Sequence, residues 1–260
     1  MYVIYFFIAL LATTLGALAG LGGGVIIKPA LDFLNHYDIK TISVLSSFTV
    51  LSMAIVSTIK QLRAGVEFQG MTSVRLVVGA IIGGVFGKII FTWFVNVLGN
   101  DLTAKNIQSI MLASLLMLIL YMTNHKEKFH ELYVSNKWWM ISIGFILGLV
   151  SAFLGIGGGP LNVGVLSIFF AMDPKIAAAH SVLIILFSQL SKLISIGIST
   201  GFSMYDLSAL YGMVFGGILG GFVGAFFSKK LENESVKRIF NIMLCFLIIL
   251  NIYNCFRTIV

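Results

Sequence analysis

The sequence predicts an all-α membrane protein: a polytopic transmembrane bundle of two inverted-topology repeats, each with a broken helix at a Gly-Gly-Gly motif. Three observations predict it. Hydrophobic residues make up 58% of the 260 positions and charged residues 10%, whereas a soluble domain carries about 25% charge. The apolar residues fall into separate runs divided by short polar stretches, which excludes one buried core. The succession of run lengths, with its glycine motifs, occurs twice.

The runs of the first half cover residues 2–20, 25–35, 42–60, 71–96 and 106–123. Those of the second cover 138–155, 160–172, 177–197, 204–228 and 236–256. The division is therefore 1–123 for the first repeat, 124–137 for a connecting loop and 138–260 for the second repeat. The first run, from Tyr2 to Leu18, follows no basic stretch and shows no cleavage site before a soluble domain. It is expected to be retained rather than removed as a signal peptide.

Within each half, the second run is the informative one. A membrane helix needs about 20 residues, and these runs hold 11 and 13. Each follows a glycine triplet, Gly22-Gly23-Gly24 in one half and Gly157-Gly158-Gly159 in the other, 135 positions apart. Every glycine in a helix interior costs about 1 kcal/mol relative to alanine, so the triplets should separate two helices and leave the short runs as half-helices. Pro160, directly after the second triplet, suits a first helical turn, where its missing N–H costs nothing. Pro29 lies deeper and is expected to kink its helix. The fourth runs carry Gly79-x3-Gly83-Gly84-x2-Gly87 and Gly216-x3-Gly220-Gly221-x2-Gly224. Small residues at three- and four-residue spacing read as helix-packing faces.

Net charge is +7, and its distribution argues for cytoplasmic loops rather than nucleic-acid binding. Lys60 and Arg63, then Lys126, Lys128 and Lys137, then Lys229, Lys230, Lys237 and Arg238 form three basic connections. The connections at 97–105 and 197–206 carry Lys105 against Asp101 and Asp206. With the basic loops inside, each half has odd parity once its first two runs are counted as a pair. The halves are then inverted relative to each other, with the amino terminus outside. Cys245 and Cys255 are ten positions apart on one predicted helix, about 15 Å, too far to bridge within it. They read as free thiols.

Inverted repeats with broken helices bring two helix N-termini together near the bilayer midplane, where such folds hold substrates. The unpaired N–H groups of Gly22, Gly23, Gly24, Gly157, Gly158 and Gly159 are candidates for holding an oxyanion. A side chain at Gly23 or Gly158 is expected to fill substrate space. The competing reading of the triplets is close helix packing alone. Lys28, one turn beyond the first triplet, is the candidate fixed positive charge. Lys88 and Lys192 also lie within apolar runs, where charge is expensive and usually functional; snorkelling to an interface competes for both. Asn162 follows the second triplet. The third runs open with Ser43, Ser46 and Ser47 in one half and His180 and Ser181 in the other, with Gln189 two turns on. Asp32 stands near the end of a short run. No His-Glu-x-x-His, Walker loop or Ser-His-Asp pattern supports an enzyme, and no motif calls for a cofactor or a metal.

Leu21-Gly-Gly-Gly with Pro29, repeated as Ile156-Gly-Gly-Gly-Pro160, resembles the sulfite exporter TauE/SafE family, as do the turns at Ser46-Ser47 and His180-Ser181 and the two glycine ladders. Where that family commonly has threonine before the serine, this chain has Ser46 and His180. The resemblance implies a multi-pass secondary transporter of the bacterial cytoplasmic membrane. It implies a small, sulfur-containing anion as substrate, such as sulfite, sulfoacetate or another organosulfonate. A passive anion channel or a non-transporting membrane scaffold is the alternative. The expected partners are the anion and the lipid bilayer, not nucleic acid; a homo-oligomer and a coupling ion, H+ or Na+, are left open.

Overall fold

A computed structural model describes residues 2–66, 70–125, 134, 136–156 and 158–257. Among them the chain forms ten helices and no strand: α1 (Tyr2–Ala19), α2 (Gly24–Leu34), α3 (Ile39–Arg63), α4 (Gly70–Leu98), α5 (Asp101–Asn124), α6 (Lys137–Leu154), α7 (Gly159–Phe169), α8 (Pro174–Ser199), α9 (Leu210–Lys230) and α10 (Asn233–Arg257). Seven of these, α3 to α6 and α8 to α10, are long and apolar enough to cross a membrane. The short α2 and α7 have 11 residues each, about 16 Å of helix, half of a bilayer core of about 30 Å.

Local chemistry sets the ends. Asp38 accepts from the N–H groups of Lys40 and Thr41 to start α3. Asn100 does the same for Leu102 and Thr103 in α5, and Asn136 for Trp138 in α6. Asn35 in the left-handed region closes α2, and Gly155 closes α6. Pro160 sits in the first turn of α7. α2 is assigned as one helix from Gly24 to Leu34, through Pro29. One boundary differs from the apolar pattern, because α9 starts at Leu210 and not at 204. The Asp206 carboxylate accepts from Ser208 N at 3.0 Å, a local bond that competes with helix.

The helices α1 and α2 form a hairpin. The Tyr5 hydroxyl lies 2.6 Å from His36 Nδ1, and the rings of Tyr5 and Tyr37 are 5.6 Å apart. Thus α2 returns the chain to the end where α1 began. The same end gathers Lys40 with Asn96, Lys105 with the Tyr37 carbonyl, and Tyr37 with Ser208. A second hairpin, α6 with α7, opens at the other end. Val134 N donates to Phe169 O at 3.1 Å, beside Asn124 with Asn241 and Lys175 with Asn233. The two hairpins therefore enter the bundle from opposite ends.

Packing exchanges elements between the halves. α1 lies along α9 and α6 along α4, while α3 and α8 cross at the centre and flank α9 and α4. The glycine ladders make the first two contacts. Gly79, Gly83 and Gly87 abut the carbonyl oxygens of Ile141, Phe145 and Leu149 on α6. Gly216, Gly220 and Gly224 abut those of Phe6, Leu10 and Thr14 on α1. None of these positions has room for a Cβ, so the backbones meet directly. Large apolar side chains cover the outside, with Trp93 exposed toward the Tyr5 end and Trp138 and Trp139 exposed at the Phe169 end, as aromatic belts require. Lys60, Arg63, Lys137, Lys175, Lys229, Lys230, Lys237 and Arg238 gather at the Phe169 end. Lys126 and Lys128, counted above as part of the central basic loop, lie outside the described residues.

Candidate functional site

The two hairpin tips meet in the interior. Gly24, the first residue of α2, abuts the Ile156 carbonyl, and Gly159, the first residue of α7, abuts the Leu21 carbonyl. The contact is reciprocal: Leu21 and Ile156 hold the same place in the two halves, as do Gly24 and Gly159. Ser181 fastens the junction, with its hydroxyl 2.6 Å from Gly20 O and 3.3 Å from Gly159 O. The N-cap residues explain why glycine is needed. Gly23 has φ 47° and Gly158 φ 67°, a region that L side chains rarely adopt. Gly22 also has positive φ. Two of the N–H groups expected to be unpaired are engaged instead, because the tight turns fold them back on the chain: Gly22 N donates to Gly16 O at 3.2 Å and Gly24 N donates to Gly22 O. Gly157 lies outside the described residues.

The geometry corrects one expectation about these glycines. A Cβ at Gly23 would fall 2.9 Å from Thr13 Cγ2, and one at Gly158 would fall 2.7 Å from Ser151 Cβ. Both neighbours belong to the preceding helix of the same hairpin. A side chain there would wedge its own hairpin apart rather than project into substrate space.

Two polar side chains at the junction have one atom each without a hydrogen-bond partner among the described residues. Ser46, 1% exposed, has a free Oγ and lies against Gly24. Asn162, 0% exposed, donates from Nδ2 to Ser181 O at 3.5 Å and leaves Oδ1 unpaired. Most buried polar atoms have a partner, and one without calls for an explanation, of which an unseen water or ion is one. The other predicted hydroxyl is satisfied locally, since Ser47 Oγ donates to Ser43 O at 2.7 Å. His180 Nδ1 lies 2.9 Å from the Ile176 carbonyl, one turn back on α8. Gln189 reaches toward the tip of α6, donating to Ser151 Oγ at 3.2 Å.

The profile described as sulfite exporter TauE/SafE matches residues 5–251, a span that holds both hairpins and their meeting point. The chain belongs to the sulfite exporter TauE/SafE family. It is similar to the probable membrane transporter protein YunE of Bacillus subtilis (strain 168), 28% identical over 264 residues that cover 94% of each chain. No solved structure matches it.

In this TauE/SafE chain the buried lysines divide by what they touch. Lys28, 4% exposed, donates to Gln108 Oε1 and to the Leu154 carbonyl at 3.0 Å. Gln108 in turn donates to the Phe153 carbonyl at 2.8 Å. The pair caps the C-terminus of α6, where unpaired carbonyls and the negative end of the helix favour a cation. Lys192 does not snorkel: it is 1% exposed and donates to Ser43 Oγ at 2.7 Å, across the α3–α8 crossing. Lys88 reaches Ser199 Oγ at 2.6 Å, toward the Tyr5 end. Asp32 stands 3.8 Å from Lys105. Sequence reasoning missed Gln108 and Ser151. A glutamine inside the apolar run 106–123 was the available signal for the first; Ser151 had none.

Proposed function

We propose that the chain is a secondary transporter of a small sulfur-containing anion, sulfite, sulfoacetate or another organosulfonate, in a bacterial cytoplasmic membrane. The anion is held at mid-depth between the tips of the two hairpins. One observation carries the reading: two short helices, entering from opposite ends, bring their N-termini together beside the unpaired Ser46 hydroxyl. Helix N-termini offer N–H groups and a positive dipole end to an oxyanion. The Ser46 O–H can donate to a sulfur-bound oxygen, and Asn162 can present its amide. The family's description and the relative's name as a probable membrane transporter support a transport role, and the family supplies the substrate class.

On this reading the repeats 1–123 and 138–260 are inverted halves joined by 124–137, with the basic Phe169 end in the cytoplasm. Rocking one half against the other exposes the shared site to either side in turn. Flux in proteoliposomes tests the proposal. Radiolabelled sulfite and methanesulfonate are expected to accumulate above their equilibrium level when an H+ or Na+ gradient is imposed. Flux that only runs downhill under every gradient would replace the transporter with a channel.

A further inference from the structure

A cavity of about 120 Å³ lies at the Tyr5 end between α3, α4 and α8, lined by Ser43 but not by Ser46. At about 30 Å³ for each water, it has room for a few waters or one small oxyanion. Its walls hold Lys40, Lys88 and Lys192. Each ammonium donates to a neutral oxygen: Lys192 to Ser43 at 2.7 Å, Lys88 to Ser199 at 2.6 Å and Lys40 to Asn96 at 2.9 Å. Among the described residues none of the three has an ion-pair partner. The single carboxylate in the wall, Asp38, accepts from Lys40 N and Thr41 N to cap α3. Three lysines therefore face one carboxylate that is already engaged. Lys88 is 8% and Lys192 1% exposed, and burying an ammonium without a counter-charge is costly. An anion bound there would offset part of that cost.

The floor of the cavity connects it to transport. Ser43, which receives the Lys192 bond, lies against Gly155 at the tip of the α6–α7 hairpin. A mirror arrangement exists at the Phe169 end. There a cavity of about 400 Å³ is lined by Lys60, Lys175, Lys229 and Asp173. Asp173 and Lys175 precede and open α8 as Asp38 and Lys40 do α3, 135 positions earlier. Each mouth thus presents three lysines and one aspartate to an arriving ion.

We propose that the Tyr5-end cavity is a second anion site, an electrostatic vestibule for sulfur oxyanions and sulfonates. Lys192 and Ser43 form its floor and Lys88 its wall. The inference deepens the transport reading but makes a separate claim about binding. The test is a thermal-shift titration of purified protein with sulfite and with methanesulfonate, beside flux in proteoliposomes. Lys192→Gln should raise the apparent Kd for sulfite about tenfold or more, Lys88→Gln should raise it several-fold, and Lys192→Arg should retain most of the affinity. Unchanged affinity in folded Lys192→Gln overturns the vestibule while leaving transport intact. Lys192-dependent binding in a protein that never concentrates sulfite overturns transport and keeps the vestibule. Should Lys192→Gln not fold, Lys88→Gln decides by the same criterion.

Discussion

At the scale of single residues, the sharpest contrast lies between Ser46 and Ser181, 135 positions apart, with opposite bonding. Ser181 holds the carbonyls of Gly20 and Gly159, whereas Ser46 Oγ has no partner among the described residues. Removing a hydroxyl that bonds nothing should not destabilise the fold, and removing one that bridges two buried carbonyls should. Ser181→Ala is therefore expected to lower stability by about 1–3 kcal/mol, read from the melting temperature in detergent. Ser46→Ala is expected to leave that temperature within a degree or two while weakening sulfite binding several-fold. Equal affinity in Ser46→Ala and wild type would remove Ser46 from the site. Lys28 has a double duty on this view. Lys28→Met strips a donor from Gln108 and from Leu154 O, two buried acceptors whose loss of a partner costs about 1–3 kcal/mol each. Lys28→Met and Gln108→Leu should each lower the melting temperature, and their double variant should fall short of the sum, since they share one contact. Strict additivity would show that the Lys28–Gln108 bond contributes nothing.

At the scale of elements, the glycines separate into turns and faces, and stability measurements can tell them apart. Gly83→Val and Gly220→Val insert a branched side chain where the backbone abuts Phe145 O and Leu10 O. Overpacking of this kind costs about 1–3 kcal/mol or more, so expression and melting temperature should fall. Gly23→Val and Gly158→Val should fall as well, through positive φ and through Thr13 and Ser151. Triplet variants as stable as wild type would contradict the hairpin geometry. The ladders were legible in the sequence, because small residues at three- and four-residue spacing announce a packing face, and α4 and α9 use theirs so. The triplets drew attention to the stretch between Ala19 and Gly24, where α1 ends and α2 begins. The direction in which each glycine points was not legible, since that depends on which helix the hairpin folds against. The start of α9 was hidden for a related reason, as the Asp206 bond to Ser208 competes locally with an apolar pattern that continues through 204–209.

For the whole molecule, the distribution of charge predicts orientation. The Phe169 end carries most of the arginine and lysine, and the Tyr5 end mixes Lys40 and Lys105 with Asp38, Asp101 and Asp206. In a variant with Cys245 and Cys255 replaced, cysteine at Asn100 should react with an impermeant thiol reagent added outside cells, and cysteine at Asn233 should resist it. Reaction at Asn233 from outside would reverse the orientation. Pairing across the halves, α1 on α9 and α4 on α6, was beyond sequence reasoning, because periodic small residues show that a face packs but not on what. Lys192 likewise stood between snorkelling and function until its contact with Ser43 was visible. The oxyanion proposed where the two hairpin tips meet can be sought in crystals soaked with selenite, which mimics sulfite and scatters anomalously. An anomalous peak is expected within hydrogen-bonding distance of Ser46 Oγ and of the backbone N–H of Gly159. Selenite that is bound elsewhere in the protein, with no peak between the tips, would contradict it.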